Sequence, residues 1–150
     1  MTLPLFFLRN KQATRNHLIA LFSRANQTED MDKSLLFYTK ILNIDNLENY
    51  FSEQEVADVY YNRSVNYTEI ADFHFKEEAY KTAHEFMRYA LSDVKNAEIR
   101  YLKPEDKAVC SKRMTEYEAN RQLVLVEQKK ADVDFELVEG YTIASYMSSM

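Results

Sequence analysis

The chain has 150 residues, a net charge of −5 and a sequence pI near 5.3, enough for one domain that buries a real core. One Gly and two Pro are too few for the turns of a sheet protein, so an all-α fold is expected. The acidic balance, with lysines and arginines interleaved among carboxylates from residue 105 onward, excludes a phosphate-binding stripe, and no nucleic-acid partner is expected. No run of eighteen or so apolar residues occurs, so no membrane partner is expected either. Cys110 stands alone, which leaves no disulfide framework within the chain and points to a reducing, cytoplasmic setting.

Leu3, Leu5, Phe6 and Phe7 form an apolar strip around Pro4, expected to tuck against a neighbouring helix because leaving it in water is costly. A first helix over about 12–25 carries the stripe Leu18, Leu21, Phe22 and Ala25. Thr28 is the expected cap of a second helix, which turns Met31, Leu35, Tyr38, Ile41 and Leu42 inward and ends near Asn46. Ser52 with Glu55 three residues on is a capping box. From there Val56, Val59, Tyr60, Arg63, Tyr67, Ile70, Ala71 and His74 recur at steps of three and four, the spacing of one helical face. Ala79, Tyr80, Ala83, Met87, Ala90, Leu91 and Val94 do the same for a fourth helix. Pro104 followed by Glu105 and Asp106 opens a long helix over about 104–130. Leu123 to Val126 and then Val133, Phe135 and Leu137 also read as two short strands. Helix followed by an irregular or extended C-terminal tail is the preferred reading, with Gly140 and the serines from Ser145 mobile. The chain then forms one domain over 1–150, with helix pairs at about 12–46 and 52–96.

Tyr67, Ile70, Ala71, Tyr80, Ala83, Ala90 and Leu91 alternate large and small side chains as in a tetratricopeptide repeat, and the segment from Ser64 to about Asn96 resembles one. His74, Glu78 and Lys95 depart from that pattern, Glu78 standing where the turn glycine is usual. Leu18, Leu21 and Phe22 with Ser34, Tyr38, Ile41 and Leu42 fit a looser copy. A helical repeat buries its face only against neighbours, so a third unit or a cap is expected from the remainder. The phrase VADVYYNRSVNY before MRYALSDV is also similar to repeats of the Rap-type peptide-sensing regulators.

Catalytic chemistry finds no footing. His17, His74 and His84 lack metal-ligand spacing. The lone Gly140 rules out a glycine-rich phosphate loop, and Cys110 reads as a buried structural thiol. No catalytic residue, metal or cofactor is expected. Asn26, Asn62 and Asn66 each begin a glycosylation-type triplet, a pattern that arises by chance. The tetratricopeptide resemblance implies a concave wall built from the first helix of each unit. It nominates Asn16, Ile19, Ser23 and Asn26, then Val65, Thr68, Asp72 and Phe75, with Asn62 and Asn66 nearby. Amides on such a wall would pair with an extended backbone. The expected function is therefore a non-enzymatic adaptor or regulator that binds a protein or peptide. A secretion-type chaperone and a structural homodimer are the alternatives, and a small helical enzyme ranks last.

Overall fold

Ser52 starts the central helix by accepting from Glu55 N–H at 3.2 Å, while its own N–H donates to the Glu55 carboxylate at 3.0 Å. The computed structural model describes the backbone of residues 5–148 and the side chains of 9–138 and 140. Among them are α1 (Leu5–Gln27), α2 (Met31–Leu42), a 3-10 turn (Leu47–Asn49), α3 (Glu53–Lys76), α4 (Tyr80–Arg100) and α5 (Pro104–Ser148), with no strand. The expectations for Leu3 and Pro4 lie outside the described residues, and those for the side chains of Leu5, Phe6, Phe7 and the serines from Ser145 lie outside the described side chains.

Each helix packs antiparallel on the next. Ala25 faces Ser34 and Phe22 faces Tyr38 across the first hairpin. Across the second, Asp58 meets Tyr101, Arg63 meets Asp93, and Phe75 meets Tyr80. Glu98 meets Lys107 and His84 meets Arg121 between α4 and α5. The odd-numbered helices instead run side by side in one direction, with Arg15 opposite Glu55 and Tyr61 opposite Arg113. Small residues permit the closest approach: Ala57 and Ala71 of α3 share one core with Ala90 and Ala97 of α4, all nearly inaccessible.

Two apolar cores result. Leu18, Leu21, Ala25, Tyr38, Ile41, Val56 and Val59 belong to the first, and Ala71, Met87, Leu91, Val94, Cys110 and Tyr117 to the second, with Tyr60 touching both. The early start of α3 has its reason here: its first turns, through Val56 and Val59, close the core of the first hairpin.

Three expectations need correction. Asp30, not Thr28, caps α2, its side chain accepting from Asp32 and Lys33 N–H; Thr28 Oγ1 instead accepts from Asp30 N–H at 3.2 Å. That helix ends at Leu42, short of Asn46. Where an irregular or extended tail was expected, α5 continues as helix through Ser148 among the described residues. Val133, Phe135 and Leu137, whose alternation suggested strand, are 54, 63 and 67% exposed on that helix. No strand is present among the described residues to pair with them, and a helix already anchored upstream extends through Glu, Gln, Lys and Ala without a new nucleus.

Candidate functional site

Of the nominated residues, Thr68, Asp72 and Phe75 lie one turn apart on α3 and are brought against α5. With Ala71, Met87, Asn120, Leu123 and Val124 they line a hollow of about 150 Å³, a volume that holds a benzene-sized group when the walls are apolar. Buried Ala71, Met87 and Val124 make its floor, and Leu123 at 52% exposure stands at its lip. The polar groups sit at the rim. Thr68 Oγ1 donates to the Val65 carbonyl at 2.7 Å, Asp72 pairs with Lys76 at 2.9 Å in the open, and Asn120 is exposed. Phe75 is held edge-on against Tyr80 with ring centroids 5.5 Å apart.

The asparagines do something else. Asn66 is 8% exposed; its Nδ2 donates to Ser34 Oγ at 2.7 Å, and that hydroxyl donates on to the Ala25 carbonyl at 2.7 Å. Asn26 Oδ1 accepts from the Tyr38 hydroxyl and from Asn62 Nδ2. Asn26, Asn62 and Asn66 thus tie α1, α2 and α3 together, Asn66 from the interior and Asn26 and Asn62 from the solvent-facing edge of the same contact. Asn16 and Ser23 remain exposed on α1, each accepting from a glutamine one turn away, and Ile19 is 41% exposed beside them. The structure does not bring this α1 group into the α3–α5 hollow.

The most tightly held polar contact was not singled out from sequence. Arg63 Nε and Nη2 grip both oxygens of Asp93 at 2.7 Å, with side-chain exposures of only 16% and 4%. Burial pushes the Asp93 carboxyl up from its ordinary value, and the Arg63 guanidinium pulls it part of the way back. A charged residue on an inner stripe was the available signal, since Arg63 falls among Val59, Tyr60 and Tyr67. A second clamp joins Arg15 to both Glu55 oxygens at 2.9 Å and to the Tyr50 carbonyl, and the bond to Arg15 holds Glu55 below the usual carboxylate range.

His74 stacks on Phe86 with a 4° interplanar angle and meets Phe73 edge-on. His84 is held below its ordinary value, first by burial and then by Arg121 and Arg88. Burial raises the Cys110 thiol to about 11, so it is no ready nucleophile. Among the described residues, no three His, Cys, Asp or Glu side chains are grouped to hold a metal, and no helix is long and apolar enough to cross a membrane.

Fold and groove together define an all-α protein of stacked antiparallel hairpins with an apolar-floored, polar-rimmed cleft between its third and fifth helices. Compared with family models, curated proteins and solved structures, the chain matches none.

Proposed function

We propose that this chain is a tetratricopeptide-like binding protein that takes up a protein segment in the α3–α5 groove, one large apolar side chain of the segment entering the hollow. The single observation that supports it most is the convergence of Thr68, Asp72 and Phe75 with Asn120 and Leu123 around a floor of Ala71, Met87 and Val124. Concave, mostly apolar sites with a few polar groups at the edge are the usual form of a ligand pocket. A bulky anchor in such a pocket supplies most of the affinity of a short segment. The rim suits recognition better than catalysis: a threonine already donating to a carbonyl, an ion-paired aspartate and an amide include no base poised beside a nucleophile. Asp72 at the edge favours segments with a lysine or arginine near the anchor.

Selection from a random-peptide display library against the full chain tests this. Enrichment of segments with one large apolar residue flanked by a basic one is expected, with binding lost on Leu123→Asp and weakened on Asp72→Lys. Enriched segments that bind Leu123→Asp as tightly as the parent chain would overturn the reading, as would no enrichment at all.

A further inference from the structure

The α5 stripe that begins at the groove does not stop there. Leu123, Val126, Lys130, Val133 and Leu137 follow one another at steps of three and four, the spacing of a two-helix seam. Upstream, this side of α5 meets α3 at the hollow. But α3 ends at Lys76, and beyond it the stripe runs on in the open, with Val126, Val133 and Leu137 at 48, 54 and 67% exposure. Val126, Lys129, Lys130, Val133 and Asp134 surround a shallow depression on this face. Four of them, Val126, Lys129, Lys130 and Val133, have the spacing of a socket for one knob from a facing helix, with Asp134 at its edge.

We infer that the occupant is α5 of a second copy, running antiparallel. The choice of a second copy rests on self-complementary charge. Placing Val133 of one copy in the socket around Lys130 of the other puts Leu137 over Val126. The same register sets Lys129 across the seam from Glu136, twice by symmetry; on the other flank it brings Glu127 near Asp134, where Lys130 of the same chain, 3.2 Å from Glu127, offsets the like charges. Among the described residues neither Lys129 nor Glu136 enters an ion pair, so both charges are available. A parallel pairing would instead oppose Lys130 to Lys130 within the seam. In the antiparallel one, each Lys130 faces valine and keeps its own Glu127, 3.2 Å away. The seam is about four turns, or roughly 20 Å, long. That falls short of a standard stable interface, so the dimer forms and dissociates with concentration.

Sedimentation velocity of the full chain over a wide concentration series reads this directly. A monomer–dimer equilibrium is expected, with Val133→Asp raising the dissociation constant about tenfold or more. Lys129→Glu and Glu136→Lys should each weaken self-association, and an equimolar mixture of the two should restore it, because only the mixed pair matches opposite charges at both crossings. A chain that stays monomeric throughout overturns the proposal. So does a mixture that associates no better than its components, or a Glu136→Lys variant that dimerises like the parent. Val133→Asp leaves the hollow intact, so its effect on dimerisation is separable from any effect on segment binding.

Discussion

Arg63 and Asp93, thirty residues apart in sequence, show how a buried pair can fix a hairpin's register without adding much net stability. Replacing such a pair with apolar groups is often neutral, whereas removing one partner strands a charge. Arg63→Ala is therefore expected to cost about 3–5 kcal/mol in urea unfolding at neutral pH. A carboxyl whose folded pKa lies above its unfolded value binds more protons when folded, so acidification favours the folded state. Asp93 is of this kind, and without Arg63 its shift grows. The deficit of Arg63→Ala should thus narrow as the pH is lowered toward the ordinary aspartate range, and a constant deficit would show that Asp93 is not the stranded charge.

Glu55 has the opposite sign. Its pKa is lowered, chiefly by Arg15, so its contribution is fully present above the ordinary glutamate value and is lost as pH falls through the folded one. Glu55→Gln keeps the capping geometry and should flatten that acid dependence in denaturation measured from pH 6 downward. Asn66 was legible as an amide on α3 but not as an internal one. Its partner Ser34 lies on another helix, and only tertiary packing reveals which side of α3 is covered. Ser34→Ala and Asn66→Ala should each destabilise by about 1–3 kcal/mol, and the double variant by clearly less than their sum.

At the scale of elements, the turn between α3 and α4 carries the clearest local conflict. Glu78 adopts φ 60, a left-handed conformation that glycine takes freely and other residues take at a cost. It sits where helix ends place glycine, with Glu78 N–H donating to the Phe75 carbonyl and Ala79 N–H to that of His74, a Schellman closure. Glu78→Gly is expected to stabilise by about 1 kcal/mol, read as a higher urea midpoint at unchanged slope. The element most readable in advance was α3, whose period and capping box agree; α4 was readable from its period alone, since Ala79 offers no side-chain cap. The end of α5 was misread because Val133, Phe135 and Leu137 alternate, and alternation signals strand only where one face is buried; here all three are exposed. The groove was half legible: spacing placed Thr68, Asp72 and Phe75 together on α3, while Asn120 and Leu123 entered only when α5 packed beside them.

For the whole molecule, two cores joined through Tyr60 and a few polar bonds imply unequal local stability. The first hairpin meets the rest through α2 and the opening turns of α3, whereas α4 packs along both α3 and α5. Amide hydrogen exchange should therefore show α1 and α2 opening at lower free energy than the middle of α3 and α4, and uniform protection would contradict the two-core description. The chain has no tryptophan and eleven tyrosines, and the rings of Tyr67, Phe86 and Tyr89 cluster within 6.0 Å of one another between α3 and α4. Near-ultraviolet dichroism thus reports chiefly on closure of the α3–α4 hairpin. A lone indole installed by Phe75→Trp would give the cleft its own optical channel, spectrally separate from every native chromophore.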